Sequence, residues 1–464
     1  MRGLFTPGVS YRIHFIGIGG ISMSGLAEYF AAKGHKVSGC DRRASALTEA
    51  LAAQGIPVAI GHDPSHLEDV DIAVYTAAIP RDQPEMAAAR AMNLPVVERA
   101  VLLGEVAATF PTRIGVSGTH GKTTTTGMIG LILTESGLDP TIFIGGVLDQ
   151  IGGNYRIGGD AVFLTEADEY VESFLRLEPT VAAILNIEPD HPDFFRDLAH
   201  LKGAFSRFAE LVPPEGSVVA RTELPNVAEA VAGSRARVIS FGVDARADYQ
   251  ATGIEFDRNG LAAFTPVIYG RVMPRVQLCI PGTHNVQNAL AAMATVGAVG
   301  VEPEAAAAVL GKYHGTRRRF EYRGRYNEAM VIDDYAHHPT EVRATLSAAR
   351  NCPHNRIWCV FQPHTFSRTK TLLNDFAAAL ALADRVVLAD IYAAREVDKG
   401  EIHARDLQQR LDQLGQEAVY LPSFAEIVEH LAKSVKPGDL VLTMGAGDIN
   451  RVGEMLLAEA GVNA

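Results

Sequence analysis

Cysteine is scarce in this chain: four in 464 residues, Cys40, Cys279, Cys352 and Cys359, with no Cys-x-x-Cys pair. A disulfide scaffold is excluded, neither a zinc knuckle nor a dithiol redox motif is signalled, and a reducing compartment is expected. Long apolar runs are also lacking. The longest charge-free stretch, 276–301, is broken by Pro281, His284, Asn285 and Asn288, so it reads as a buried Ala-rich helix and not a membrane span. The N-terminus carries Arg2, Arg12 and His14 where a secretory leader would be apolar. Bases are outnumbered, 42 Lys and Arg against 54 Asp and Glu, for a net charge of −12. That balance excludes a general nucleic-acid coat. The expectation is a soluble cytoplasmic protein with no nucleic-acid partner and no membrane insertion, either monomer or homodimer.

What is present is a repeated alternation of apolar runs and helical patterns. At about 150 residues per domain the length suggests three units, and the boundaries read as 1–108, 109–315 and 316–464. In the first, strands are expected at 12–17, 36–41, 58–60 and 71–75, with helices at 23–33 and 46–54. The second opens with a strand at 113–117, continues with strands at 161–165 and 181–186, and has a β-rich stretch over 248–280 before the Ala-rich helix from 284. The third alternates strands at 329–334, 356–361, 385–389 and 440–444 with helices, one over 340–350. Such alternation specifies an α/β fold with parallel sheets covered by helices.

Two glycine loops each follow a strand and open a helix. In Gly115-Val116-Ser117-Gly118-Thr119-His120-Gly121-Lys122-Thr123-Thr124 the backbone N–H groups would converge on phosphate at a helix N-terminus. Lys122 would reach the outer phosphates and the Thr123 hydroxyl would bind Mg²⁺. The leading glycine, Gly115, stands one residue earlier than the usual spacing, so this is a variant loop. The other loop is Gly17-Ile18-Gly19-Gly20-Ile21-Ser22, with Asp41 where a ribose-binding acid would fall. Ser22 replaces the third glycine of the dinucleotide fingerprint, which weakens a nicotinamide-dependent oxidoreductase and suits another diphosphate nucleotide, such as a UDP-linked substrate.

Further segments make the set specific: Glu166-Ala167-Asp168-Glu169, Asn186-Ile187-Glu188-Pro189-Asp190-His191, Arg318-Arg319-Phe320-Glu321, Asp334-Tyr335-Ala336-His337-His338-Pro339-Thr340-Glu341, Phe361-Gln362-Pro363-His364 and Gly445-Ala446-Gly447-Asp448. Their order resembles the Mur ligases, the ATP-dependent amide-forming enzymes of peptidoglycan precursor synthesis, from about Tyr11 to Gly453. The resemblance implies three domains: an N-terminal Rossmann-like parallel sheet for the UDP-sugar, a central P-loop ATPase-type α/β domain, and a C-terminal Rossmann-like α/β domain for the amino acid. It is nearest to the branch that joins L-alanine to UDP-N-acetylmuramate, with ATP and Mg²⁺ and through an acyl phosphate.

By resemblance, Lys122 and Thr123 serve the phosphates and one Mg²⁺, Glu166 links the metal sites, and His191 binds a second Mg²⁺. Which of Glu166, Asp168 and Glu169 holds metal is left open by the residues themselves. Asn285 and Asn288 fall at the adenine positions, Asp334 at the ribose, and Arg319 at the γ-phosphate. His337 and His338 open a helix where anionic or amine groups could be met, and His364 and Arg368 match positions around the entering amino acid. His62, Thr76 and Arg99 are carried over as UDP-sugar contacts, beside Gly17, Gly19, Gly20, Ser22 and Asp41. Phe205 stands where several relatives carry a carbamylated lysine, although Lys202 is near. The alternatives are a murein-peptide ligase of cell-wall recycling, a nicotinamide-dependent oxidoreductase, and a non-catalytic nucleotide switch.

Overall fold

The first sheet forms where the apolar runs are short and β-branched and the intervening segments have helical period. Its strands are β1 (Arg12–Ile16), β2 (Lys36–Asp41), β3 (Val58–Ile60), β4 (Ile72–Tyr75) and β5 (Val96–Glu98). All pair in parallel, in the order β3-β2-β1-β4-β5. The helices between them are α1 (Ile21–Ala32), α2 (Ala46–Ala53), α3 (Pro84–Ala91) and α4 (Arg99–Ala107). In this computed structural model the described residues are 4–461 apart from 7, 77–78, 81, 244–245 and 460. The expected strands and the first two helices appear within a residue or two; α3, β5 and α4 were not anticipated individually.

The central unit begins with β6 (Thr112–Ser117) and α5 (Lys122–Glu135), followed by β7 (Thr141–Leu148), β8 (Gly153–Arg156), β9 (Val162–Glu166) and β10 (Val181–Ile184). Strands β7, β9, β6 and β10 run parallel, and two further parallel strands, Ser217–Ala220 and Arg237–Gly242, extend the sheet. The β-rich stretch joins its edge through Tyr249–Phe256, parallel to Arg237–Gly242, and continues as antiparallel strands Leu261–Ile268, Arg271–Val272 and Val276–Pro281. The Ala-rich helix, Thr283–Gly297, is buried along most of its length. It crosses behind the sheet beside α5, small side chains permitting the close approach.

The third unit holds a six-stranded sheet in which Glu321–Tyr326 is an antiparallel edge and the remaining pairs are parallel. Ala329–Asp334 and Leu440–Met444 are buried at its centre, as expected for strands covered on both faces. No helix among the described residues is long and apolar enough to cross a membrane.

The three sheets are locked together by specific close contacts. A Cβ at Gly104 on α4 would lie 2.3 Å from the Arg176 carbonyl oxygen, so only glycine lets the first unit seat against the central one there. Between the central and third units, Arg368 pairs with Asp190 at 2.8 Å, both side chains almost fully buried. Phe205 is fully buried and packs edge-on against Phe174, while Lys202 pairs with Glu229 at the surface.

Candidate functional site

The site is built around the turn from β6 into α5. Gly118 (φ +142°) and Gly121 (φ +85°) hold backbone conformations that side chains resist, and a Cβ at Gly121 would come within 2.6 Å of Asn288 Oδ1. Helix α5 therefore starts without a side-chain cap, leaving its first N–H groups and the positive end of its dipole to an anion. The Lys122 ammonium donates to Glu169 at 2.8 and 3.0 Å and to the Gly118 carbonyl at 2.7 Å. Burial opposes its charge, but Glu169, Asp168 and Glu166 outweigh that and hold it protonated.

The acids divide the work. Glu166 accepts from the Thr123 hydroxyl at 3.1 Å and from the Gly145 N–H at 2.6 Å. Glu169 faces Lys122 and His191, whose Nε2 lies 3.7 Å away. Oxygen donors at Thr123 and Glu166 suit Mg²⁺. Asp168, Glu169 and His191 form a second group whose ligand atoms lie within 4.8 Å of one another. His191 Nδ1 is buried without a hydrogen-bond partner, and its residue holds a strained φ of +52°.

Asn186 fixes the outer side of the loop, accepting from the His120 N–H at 2.8 Å and donating to the His120 carbonyl at 3.0 Å. The His120 ring lies 3.3 Å from Glu188 and 3.5 Å from Glu341, a residue of the third unit. Burial alone would lower its pKa; the two carboxylates outweigh burial and raise it to about 9. Glu188 is held down to about 2, with burial opposing and His120 prevailing.

Three consecutive arginines meet three fates. Arg317 pairs with Asp149 at the surface. Arg318 donates to Asp333 and to the Gly445 and Gly447 carbonyls, so it supports the third sheet. Arg319 reaches the loop, with Nη2 3.4 Å from Thr123 Oγ1 and Nη1 3.9 Å from Glu341. The positive φ at Arg318 and Phe320 gives the tight path that separates the three directions.

A cavity of about 630 Å³ runs between the three units. Ser22 and Arg99 line it from the first, Lys122, Thr123, Glu166, Asp168, Asp190 and His191 from the second, and Arg319, His337 and Glu341 from the third. A second cavity of about 180 Å³ opens behind the loop between His120, Thr124, Asn186, Asn285, Asn288, Asp334 and Glu341. Asp334 accepts from the Phe320 and Ala336 N–H groups at 2.8 and 2.7 Å, and burial pushes its pKa up to about 6. Asn285 donates to the Pro281 carbonyl and accepts from Asn288, so both amides are oriented at the helix start.

Not every expected residue reaches a cavity. Arg368 is engaged by Asp190 and by His364 Nδ1 at 2.9 Å, and neither Arg368 nor His364 lines the main cavity. His338 caps its helix and meets the Pro189 carbonyl, again behind the wall. In the first unit, Asp41 accepts from the Gly19 N–H at 2.9 Å, and Thr76 lies beside Gly17. His62 is committed elsewhere, 2.9 Å from Glu85 and 3.3 Å from Cys40. The partners of Asp190 and Glu341, and that of Glu169 (one of the three candidate metal acids), were not legible in the sequence, because a carboxylate's partner is a matter of folding; their places inside the quoted motifs were the available signal.

Comparison with known proteins agrees with this arrangement. The sequence matches the Mur ligase family catalytic domain over residues 12–111, the Mur ligase middle domain over 116–296, and the Mur ligase glutamate ligase domain over 318–447. A UDP-N-acetylmuramate–L-alanine ligase of Acetivibrio thermocellus is 50% identical, covering 98% of this chain and 97% of that protein. The chain belongs to the Mur ligase family. A ligase of the same name from Lachnospira eligens is 48% identical, with 96% and 98% coverage. Among solved structures, the UDP-N-acetylmuramate–alanine ligase of Thermotoga maritima superposes with a TM-score of 0.83 at 29% identity, covering 97% of this chain and 99% of that one. A murein peptide ligase from Psychrobacter arcticus gives 0.75 at 26% identity with the same coverage.

In this Mur ligase the raised His120 pKa has a measurable consequence. A group whose folded pKa lies above its unfolded value stabilises fully below the unfolded pKa, about 6.5, and loses that contribution as pH rises through the folded value. Wild type should therefore exceed His120→Gln in unfolding free energy at pH 6.5, by roughly 3 kcal/mol at most. The gap should shrink as pH rises through about 9. A difference that stays constant from pH 6.5 to 10.5 would show that the His120 charge is not involved.

Proposed function

We propose that this Mur ligase joins L-alanine to UDP-N-acetylmuramate in the cytoplasm, using ATP and Mg²⁺ through an acyl phosphate. We further propose units bounded at 1–108, 109–315 and 316–464 for the UDP-sugar, ATP and amino acid respectively. The observation that carries the reading is one cavity in which Lys122, Thr123 and Arg319 face the side chains of Ser22 and Arg99 across the unit boundary. An ATP-coupled condensation needs both an anionic phosphate cradle and a second anionic substrate within one water-poor space.

In the first step a muramyl carboxylate attacks the γ-phosphate, and the C–O–P bond forms as ADP leaves. Two anions must approach, so Lys122, Arg319 and the α5 N-terminus supply positive potential where charge concentrates. Thr123 and Glu166 would hold one Mg²⁺, and His191 with its neighbouring acids the other; the metal would neutralise phosphate oxygens. Asn285, Asn288 and Asp334 fit the nucleoside in the smaller cavity. Gly17, Gly19, Gly20 and Ser22 present the uncapped start of α1 to the diphosphate, with Asp41, Thr76 and Arg99 around it.

In the second step the alanine amine attacks the acyl carbon, a tetrahedral intermediate forms, and phosphate leaves. His337 is kept neutral, burial lowering its pKa to about 4. Its Nδ1 faces the Tyr335 carbonyl at 3.0 Å, which leaves Nε2 as the acceptor for an amine proton. Arg368, His364 and His338 stand behind Asp190 and the Pro189 carbonyl and shape the amino-acid end of the cavity.

The test is a substrate panel. Purified protein with ATP, Mg²⁺ and UDP-N-acetylmuramate should release phosphate with L-alanine, and more slowly with glycine or L-serine. Release only with a murein tripeptide would replace the reading by peptide recycling, and no release with any acceptor would reject it.

A further inference from the structure

The first unit contains a second cluster of metal-ligating side chains, on the strands that lead into the Gly17 loop and Asp41. Strand pleating sends Ile13 and Phe15 to one face of β1 and His14 and Ile16 to the other. On that second face Ile16, Cys40, Leu67, Met86 and Ala89 form an apolar layer under α3 and the short turn Pro64–Leu67. Within it lies Glu85, fully buried near the start of α3. Four side chains donate to its two oxygens or face them closely: Gln83 Nε2 at 2.7 Å, His66 Nδ1 at 2.7 Å, His62 Nδ1 at 2.9 Å and Cys40 Sγ at 3.1 Å.

His14 points to what the cluster is for. Its ring is 98% buried, Nδ1 meets the Ser38 hydroxyl at 2.9 Å, and Nε2 has no hydrogen-bond partner among the described residues. That bare nitrogen is aimed into the cluster, 3.8 Å from Glu85 Oε1. A buried nitrogen left without a partner forfeits the hydrogen bond that water would have given it. An imidazole anchored through one nitrogen with the other bare is the usual geometry of a metal ligand and its outer support.

We propose that His14, Cys40, His66 and Glu85 bind one structural Zn²⁺, with His62 as a neighbouring fifth donor at the entrance. The four ligand atoms lie within 4.8 Å of one another. Zinc–ligand distances of about 2.0–2.3 Å require donor separations near 3.3–3.8 Å, so the longest edges contract by about 1 Å on binding. Thiolate, imidazole and carboxylate together favour zinc over magnesium or calcium, which take oxygen. Charge closes as well: the Cys40 thiol loses its proton to solvent, and thiolate plus carboxylate balance the dication. His62 and His66 keep about a fifth of their side-chain surface exposed, at 19% and 22%, which gives the ion a way in. The bound ion would tie β1, β2, the 64–67 turn and α3 together. It would also brace the glycine turn, since the Cys40 carbonyl accepts the Gly17 and Ile18 N–H groups.

The test needs no activity assay. Full-length protein is stripped with chelator, loaded with Zn²⁺ or Co²⁺, desalted, and measured by elemental analysis, visible absorption and thermal melting. Wild type should retain one ion per chain with a higher thermal midpoint than the stripped protein. Its Co²⁺ form should show thiolate-to-cobalt charge transfer. In Cys40→Ser that band should vanish, and zinc affinity in Cys40→Ser and Glu85→Gln should fall more than about 100-fold. Both variants nearly conserve volume, and circular dichroism checks their folding. Wild-type protein that takes up zinc without the thiolate band, or takes up none, overturns the proposal whatever the variants do. So does a band that survives in Cys40→Ser.

Discussion

Lys122→Ala should lower ATP-dependent phosphate release by on the order of 10³-fold or more, the scale of removing a preorganised charge from a water-excluded phosphate site. Binding of UDP-N-acetylmuramate, measured by calorimetry, should change little, because among the described residues none of the first unit bonds to Lys122. The substitution also has a stability effect that must be separated from catalysis. Glu169 is 1% exposed and loses its ion-pair partner, and stranding a buried charge costs about 3–5 kcal/mol. The thermal midpoint of Lys122→Ala should therefore drop, and adding Glu169→Gln should restore it without restoring turnover. Recovery of turnover in the double variant would mean that Lys122 only neutralises Glu169. Loss of sugar binding in the single variant would mean that the substrate assignment of the units is wrong.

Arg319→Ala should reduce kcat by about 10³-fold, as expected for an arginine that stabilises a transferring phosphoryl group. The KM for the UDP-sugar should stay close to wild type. The stability change should be small, because the partners of Arg319 stand at 3.4 and 3.9 Å and its side chain is 26% exposed. Arg319→Lys should not rescue, since a single ammonium cannot span Thr123 and Glu341 as a planar guanidinium does. Arg318 provides the contrast. It holds Asp333 and two carbonyls in the third sheet, so its loss should lower the thermal midpoint. An Arg319→Ala enzyme within about tenfold of wild-type kcat would remove Arg319 from the phosphoryl-transfer step.

Legibility in the sequence followed the range of the forces involved. The strand of Lys36–Asp41, the helix of Ala46–Ala53 and the loop opening α5 were readable because periodicity and glycine placement act over a few residues. The three arginines show the limit. The resemblance singled out Arg319 but left its neighbours without partners, and a turn with positive φ at Arg318 and Phe320 sends each to a different one. The choice among Glu166, Asp168 and Glu169 was equally closed to sequence. Each is an acid at a strand end, and only the folded backbone puts Glu166 on Thr123 and Glu169 on Lys122.

The scarcity of cysteine acquires a different meaning in the folded chain. Without a Cys-x-x-Cys pair, sequence spacing offered no zinc site. Residues 14, 40, 66 and 85 converge only because two parallel strands, a short turn and a helix stack on one face of a sheet. Sequence by itself determined the α/β class, the glycine loop that opens α5 and membership of the Mur ligase pattern, since short-range rules and ordered motifs carry those. Tertiary structure alone decided which carboxylate faces which cation, which arginine reaches the loop at Thr123, and where His62 and His14 turn. Those pairings depend on contacts between residues tens to hundreds of positions apart, and local chain chemistry holds no record of them.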